Sequence, residues 1–560
     1  MIQFGGRGSV RASGSANRVA SHTSQPRLAR PALRQRLRRG ERRALHSKCK
    51  LGRYLGSERF DERLAFRESE VATTVQMSNS SSHSMAGETQ SFLLGGEWIT
   101  GKDTQEVRAP FDGALLGRVS RAGPAEIEEA LVRAEHGFQI FRKTPTHVRR
   151  GILLRAAALI GERHDALVDM LSREAGKPVM FSAMEVRRMR LTFELAAAEL
   201  TRFGGEMLPV DFDERAENCE CLVRRFPVGV IAAIIPYNWP FNLAAHKLAP
   251  ALAVGCSLLV KPATATPLST LMLGRILMDA GLPKGVLSVL PCPAALAQKW
   301  VEDDRVAMLS FTGSPEVGWR LKSIAGRKKV SLELGGNAAM VVHEDADIER
   351  AVQRAVIGGY GYAGQVCIKV QRVFAHDAVY EHFSTQLAEA TRQCLYGDPM
   401  DVRTVCGPLI DVANAERIES WINDAVKDGA RILAGGTRKE NILSPTLLDQ
   451  VKPSMKVCRG EIFGPVVTLE RYSDWSDALR RVNDSDYGLQ AGIFTRDSDR
   501  IHQAFQELEV GGVIVNDFPT MRVDNFPYGG VKNSGFGREG VRYAMEEMTE
   551  PRVLFTRFST

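Results

Sequence analysis

From residue 228 to residue 311 the chain alternates short apolar runs with helical stretches, and that alternation leaves few folds open. Val228 to Ile235 is one uninterrupted apolar run. Ser257 to Val260, Val286 to Leu290 and Val306 to Phe311 follow, separated by Leu268 to Ala280 and a further helical stretch. A strand apolar at every position has both faces covered, the condition of a parallel sheet with helices on either side. Such sheets bind dinucleotides outside the carboxyl ends of their strands. A second alternating series begins after Gly335-Gly336, with strands near Ala338 to Val342, Gln371 to His376 and Val466 to Leu469, and predicts a separate α/β domain. Upstream, Phe92 to Pro110 reads as short strands punctuated by Gly95-Gly96 and Gly101. Amphipathic spacing predicts helices over about Pro124 to Phe141, Val148 to Ala175 and Ser182 to Phe203. The fold class is α/β, and a chain of 560 residues is too long for one compact core.

The net charge of +7 is unevenly spread. Residues 1–84 hold 17 Lys and Arg against 6 Asp and Glu, so the body that follows is net acidic. This excludes a basic nucleic-acid surface on the body and leaves salt-dependent binding by the extension as its only route. Residues 1–84 are rich in Arg and Ser and lack hydrophobic periodicity, the composition of a disordered segment. Three readings of it stay open: an organelle transit peptide, a basic tail for acidic partners, or residues upstream of a true start at Met77 or Met85. No apolar core of a secretory signal follows the early arginines. No apolar run approaches the roughly 20 residues needed to span a bilayer, so no membrane partner is expected. The nine cysteines include no zinc-like pair, and Cys219 and Cys221 alone are weak evidence for metal. No metal is expected, and a reducing, cytoplasmic setting fits best.

Candidate chemistry lies at strand ends. Asn238, in Pro236-Tyr237-Asn238-Trp239-Pro240, closes the first apolar strand and is either a turn residue or an oxyanion donor. Lys261 leaves the next strand at the same edge, either solvated or holding ribose hydroxyls. The turn Thr312-Gly313-Ser314-Pro315-Glu316-Val317-Gly318 opens a helix whose free N–H groups suit a pyrophosphate, although its spacing matches neither the dinucleotide fingerprint nor a P-loop. Glu333 sits between apolar residues beside Gly335-Gly336, where burial would raise its pKa into the range of a general base. Cys367 follows Gly364-Gln365-Val366 and is either an inert buried thiol or a nucleophile.

Taken in order and with their flanks, these segments resemble the aldehyde dehydrogenase superfamily. The resemblance rests on Phe311-Thr312-Gly313-Ser314, Leu332-Glu333-Leu334-Gly335-Gly336-Asn337, Gly364-Gln365-x-Cys367, Glu461-Ile462-Phe463-Gly464-Pro465 and Pro527-Tyr528-Gly529-Gly530-Val531-Lys532-x-Ser534-Gly535, and covers about residues 88–560. It implies oxidation of an aldehyde to a carboxylic acid with NAD or NADP. Cys367 would be the nucleophile, forming a thiohemiacetal and then a thioester. Asn238 and the Cys367 backbone N–H would hold the oxyanion, and Glu333 would activate the hydrolytic water. Lys261, Thr264, Gly313, Ser314, Gly318, Glu461 and Phe463 would contact the cofactor. Trp239 and Arg522 would meet the substrate.

The resemblance also implies a Rossmann-type cofactor domain over residues 85–207 and 228–334, a catalytic domain over 335–540, and a β-hairpin oligomerisation arm over 208–227 and 541–560. The arm would lie near Leu208 to Pro227, with a final strand Pro551 to Phe558 returning beside it, and would build a homodimer or homotetramer. Departures bear on specificity. Thr264 stands where many NAD-dependent relatives carry Glu, and Pro315 replaces a common Thr, so NADP is admitted beside NAD. Arg522 resembles relatives acting on small hydroxylated or anionic aldehydes such as lactaldehyde or glyceraldehyde 3-phosphate; a solvated loop arginine is the alternative. Val366 weakens the phosphate case, because phosphate-reading relatives often carry Arg there, and favours a short polar aldehyde. Glu333 argues against relatives that release acyl-CoA, and intact Cys367, Glu333 and Asn238 against a catalytically silent one.

Overall fold

The computed structural model describes residues 89–559, and the basic extension of the sequence analysis lies outside them. The first series of apolar runs forms the middle of an eight-stranded sheet. In spatial order it runs Gly535–Phe536, Lys329–Glu333, Val306–Thr312, Val230–Ile234, Ser257–Lys261, Leu287–Val289, Phe92–Leu94 and Glu97–Ile99. From Lys329–Glu333 to Leu287–Val289 the pairing is parallel throughout. The chain winds outward from Val230–Ile234 through the next two strands, then returns to that strand's other side at Val306–Thr312. This reversal opens a crevice at the carboxyl ends of Val230–Ile234 and Val306–Thr312. Asn238, Lys261, Gly313 and Glu333 all lie at or just beyond strand ends on this edge.

The stretch Val148 to Ala175, expected as one helix, is two: Thr146–Glu162 and His164–Ala175. Its apolar face runs through Ile160 and resumes at Leu167. Between them stand the charged Glu162, Arg163, His164 and Asp165, of which only Arg163 lies outside both helices, paired to Asp279 at 2.6 Å. Breaking there lets the second helix aim Glu174 inward. Its carboxylate accepts from the backbone N–H of Leu268 at 2.6 Å and Ser269 at 2.9 Å, capping the helix Pro267–Asp279.

The second series forms a seven-stranded sheet in the order Arg431–Ala434, Thr446–Asp449, Val466–Tyr472, Arg372–His376, Ala339–Val342, Gln490–Phe494 and Gly512–Val515. All neighbours are parallel except the edge strand Arg431–Ala434. A third sheet joins Gly205–Leu208, Cys219–Pro227 and Thr549–Arg557 antiparallel. The returning strand, expected over Pro551 to Phe558, runs over Thr549–Arg557. The hairpin's first strand, however, ends at Leu208 instead of beginning there. Residues from 541, expected within the arm, open with the helix Val541–Glu547, whose Val541, Ala544 and Met545 lie in the core of the first sheet. Among the described residues no helix is long and apolar enough to cross a membrane.

Candidate active site

The loop bearing Cys367 is held in an unusual backbone conformation. Tyr362 and Ala363 are buried with φ of 53° and 51°, and Gly364 follows at 64°. Side chains with a Cβ avoid this left-handed region, so the turn persists because its surroundings dictate it. Tyr362 donates its N–H to the Val405 carbonyl at 3.0 Å and its hydroxyl to the Ala175 carbonyl at 3.3 Å. A Cβ on Gly364 would run into the Gly464 carbonyl. From the neighbouring sheet, Asn238 reaches across and donates Nδ2 to the Gln365 carbonyl at 2.9 Å, two residues before the cysteine. The Gln365 side chain accepts in turn from the Ile410 N–H at 3.0 Å.

Cys367 is half-buried, with Sγ 3.2 Å from the Tyr528 hydroxyl. Burial pushes its thiol up to about 12; the Tyr528 contact opposes this, the Glu461 and Glu333 carboxyls add to it, and Arg522 opposes it. The thiol therefore needs a base or a stabilised thiolate before it can attack. Glu333 is 3% exposed, and both carboxylate oxygens lack a hydrogen-bond partner. Burial, then the charge of Glu539, raises it well above the ordinary carboxylate range. Glu539 moves the other way: burial raises it, but Lys247 and Arg522 outweigh that and hold it at about 2. Glu539 accepts from Lys247 Nζ at 3.0 Å and from Arg522 Nη2 at 3.1 Å. Two carboxyls of one type are thus shifted in opposite directions by their surroundings.

Arg522 is not a solvated loop residue. Its side chain is 5% exposed, it pairs with Glu539, and its guanidinium lies 3.7 Å over the Tyr528 ring while Nε has no partner. Its loop is pinned again through Asp524, which accepts from Arg188 at 2.6 Å. Trp239 is 9% exposed, with Lys177 Nζ 3.9 Å from its ring centroid. Lys177 forms a fully buried pair with Glu185, whose other oxygen accepts from the N–H groups of Phe241 at 2.8 Å and Asn242 at 3.0 Å. The residues flanking Asn238 are thereby fixed from beneath.

On the same edge of the first sheet, one strand over from Asn238, Lys261 is 8% exposed, and its Nζ donates to the Pro262 carbonyl at 2.9 Å. An ammonium has three donors, so others remain for hydroxyls. Thr264 is exposed, its carbonyl accepting from Gln105 at 2.8 Å. Gly313 donates its N–H to the Glu333 carbonyl at 3.0 Å. Ser314 is exposed and caps the helix Pro315–Ile324, which presents a positive end to an anion. Gly318 needs correcting as a cofactor contact: it is buried beneath Leu334 and Phe311, and its N–H is spent on the Ser314 carbonyl at 3.0 Å. Its absent side chain brings helix and sheet together. Glu461 accepts from the Gly336 N–H at 2.9 Å, leaving its second oxygen. Its carboxylate fills the place of a Gly335 Cβ, and the Cys367 carbonyl fills that of Gly336. Burial raises Glu461 to about 7. Phe463, at φ 50°, sets its ring edge-on to Tyr237 with centroids 6.0 Å apart. Free ammonium donors, an open helix N-terminus and a carboxylate beside the thiol suit a ribose, a diphosphate and a second ribose in turn.

Lys247, Glu539 and Tyr528 carry no assignment in the sequence analysis. Lys247 had a signal: it interrupts the helix Pro240–Val254, every residue of which is buried, and a lysine there requires a buried counter-charge. Among the described residues no three His, Cys, Asp or Glu side chains converge as a metal site.

The aldehyde dehydrogenase family model matches residues 98–554. The chain is 43% identical over 462 residues to a 3-sulfolactaldehyde dehydrogenase of Priestia aryabhattai, covering 82% of this chain and 96% of that one. It is 36% identical to a lactaldehyde dehydrogenase of Methanococcus aeolicus, covering 82% and 99% respectively. Among solved structures, aldehyde dehydrogenase 21 from Physcomitrella patens in complex with the reaction product succinate superposes with a TM-score of 0.83 at 38% identity, covering 84% of this chain and 98% of that one. The NADP complex of NADP-dependent glyceraldehyde-3-phosphate dehydrogenase from Bacillus halodurans gives 0.82 at 36% identity, covering 84% and 100%.

Proposed function

Because the chain belongs to the aldehyde dehydrogenase family, we propose that it oxidises a short polar or anionic aldehyde to its acid, with Cys367 as nucleophile, Asn238 as oxyanion donor and Glu333 as the base of hydrolysis. One observation carries the assignment: a buried carboxyl with no hydrogen-bond partner lies near enough for its charge to act on the thiol of a cysteine whose loop is tied to the Asn238 amide. The sulfur bonds the aldehyde carbon, and the carbonyl electron pair moves to oxygen, where the Asn238 amide would meet it. When bound, NAD or NADP supplies the two-electron oxidant. Hydrolysis of the resulting thioester needs a water stripped of a proton. Glu333 suits this because desolvation makes its carboxylate a strong proton acceptor.

Lys261 and Glu461 would hold the two riboses, and Gly313 and Ser314 the diphosphate, with Phe463 beside the nicotinamide ribose. Thr264 brings no carboxylate against a 2′-phosphate, which favours use of both dinucleotides. Residues 85–207 and 228–334 are assigned to cofactor binding and 335–540 to catalysis, with Gly535–Phe536 completing the first sheet. Trp239 and Arg522 are assigned to the substrate. The buried cation, whose Nε has no partner, supports a hydroxylated or anionic tail, and relatives named for sulfolactaldehyde and lactaldehyde fit that class.

The arm exposes Met207, Phe212, Val553 and Leu554 at 64%, 87%, 61% and 60%. An apolar surface of that kind supports a homodimer or homotetramer built through it. The eight described cysteines are all free, which supports a reducing, cytoplasmic location.

The test is formation of reduced cofactor across an aldehyde panel with NAD and NADP in parallel. Hydroxylated and anionic short aldehydes should surpass neutral aliphatic ones of equal length, and Arg522→Ala should raise KM for the former most. A uniform change across the panel removes Arg522 from recognition.

A further inference from the structure

Tyr528 belongs to a segment the sequence analysis singled out without giving this residue a task. Its side chain is 3% exposed, and its hydroxyl lies 3.2 Å from Cys367 Sγ, within reach of a sulfur hydrogen bond. Its ring packs in a small apolar cluster with Ile368 and Leu489, which leaves the hydroxyl little freedom to turn elsewhere. Over the ring sits the Arg522 guanidinium at 3.7 Å, itself anchored to Glu539. A cation on the face of a phenol draws electron density from it and strengthens its O–H as a donor.

While the cysteine is a thiol, either partner can donate. Once the sulfur is ionised, only the phenol can, and the contact becomes a charge-assisted hydrogen bond to an anion. We propose that the Tyr528 hydroxyl is a catalytic donor to the Cys367 sulfur, holding it as a thiolate before attack and receiving it again when the acid leaves. The thiol proton leaves to water; in attack the sulfur pair forms the C–S bond, the carbonyl pair moves to oxygen, and the hydroxyl keeps its own proton. In hydrolysis water forms the C–O bond, the C–S pair returns to sulfur, and the water proton goes to Glu333. Tyr528 is neutral throughout, so it lowers the energy of two charged states of one atom without consuming a proton.

The titratable and charged groups facing the sulfur are Tyr528, Glu461, Glu333 and Arg522. The two carboxylates disfavour a thiolate, which leaves Tyr528 and the cation behind it as the groups that favour one. The inference rests on Cys367 being the nucleophile, and the test separates the two. Iodoacetamide inactivation of the full-length enzyme is followed against pH, with the adduct located by mass spectrometry. If inactivation does not map to Cys367, the nucleophile assignment fails and this inference with it. If it maps there, Tyr528→Phe should alkylate roughly tenfold more slowly at neutral pH, the size of one charge-assisted hydrogen bond. The rates should converge at high pH, where both sulfurs are ionised. A general structural disturbance would not produce that convergence. As a second arm, 3-fluorotyrosine at position 528 keeps the hydroxyl and makes it a stronger donor. It should move the midpoint below that of the wild type, and it serves alone if Tyr528→Phe does not fold. A midpoint unmoved in either folded variant overturns the role of Tyr528.

Discussion

Glu539→Gln removes one charge from a pocket that holds two carboxyls and two cations. In the wild type Glu539 is held at about 2 by Lys247 and Arg522, against an ordinary value of 4.5. At 1.36 kcal/mol per unit this linkage amounts to about 3 kcal/mol. A second route agrees. Glutamine keeps one acceptor oxygen but turns an N–H toward the other cation, so one of two charge-assisted bonds is lost and a buried cation is left short of a partner. That costs about 3 kcal/mol, the lower end for breaking a buried pair. Lys247 retains its 3.1 Å bond to Ser310, which limits the damage. A domain with 5–15 kcal/mol of stability survives such a change. Because the folded-state value is depressed, the stabilisation is complete above the unfolded value and is lost as pH falls through about 4.5 toward 2. Urea unfolding should show the variant about 3 kcal/mol less stable at pH 7, with the gap narrowing below about pH 4.5. Glu333 supplies an opposite signature. The Glu539 charge helps to raise it, so the variant's alkaline-favoured limb of hydrolysis should move to lower pH. Equal stabilities at pH 7, or a gap indifferent to acid, would refute the charge assignment of this pocket.

Cys367→Ala should abolish aldehyde-dependent cofactor reduction while dinucleotide binding, read by fluorescence titration, stays within a few-fold of wild type; substantial turnover would remove the thioester route. In Glu333→Gln a rapid-mixing experiment should show one equivalent of reduced cofactor per site followed by stalling, and undiminished steady-state turnover would count against Glu333 as base. Thr264→Glu should raise KM for NADP more than for NAD, because a carboxylate repels a 2′-phosphate, and equal effects would show that position 264 does not face that group.

The middle of the first sheet was legible because strands buried on both faces carry few polar residues, so Val230–Ile234 stands out as a uniform run; of the second sheet only Ala339–Val342, Arg372–His376 and Val466–Tyr472 were read, the other four strands being short or carrying polar residues. The break at Arg163 was not, since an amphipathic period survives across a charged turn and does not reveal where a helix changes direction. Asn238, Glu333 and Cys367 were each ambiguous as single residues and drew a functional reading only as an ordered set. The Lys247–Glu539–Arg522 network was hidden for a different reason. Lys247 and Glu539 are 292 residues apart and neither flank hints at the other. Gly318 was misread because a glycine near an anion site and a glycine under a leucine look alike in one dimension. Glu174 and Glu185, the buried caps of two helices following catalytic-edge strands, lie on other helices and left no local sign either.

The left-handed turn at Tyr362 and Ala363 has a consequence for where this enzyme is vulnerable. Each of these residues gives up about 1–3 kcal/mol to sit where it does, and the turn survives because the Val405 and Ala175 carbonyls accept from Tyr362 while the Gly464 carbonyl lies close against Gly364, three distant stretches of chain. The address of the Cys367 sulfur is thus written largely outside its own neighbourhood. A change that displaces any of those three carbonyls need touch no residue of the candidate site to shift Cys367. Released from its supports, the turn would relax to an ordinary conformation, and a fully folded protein would carry its sulfur to the wrong place.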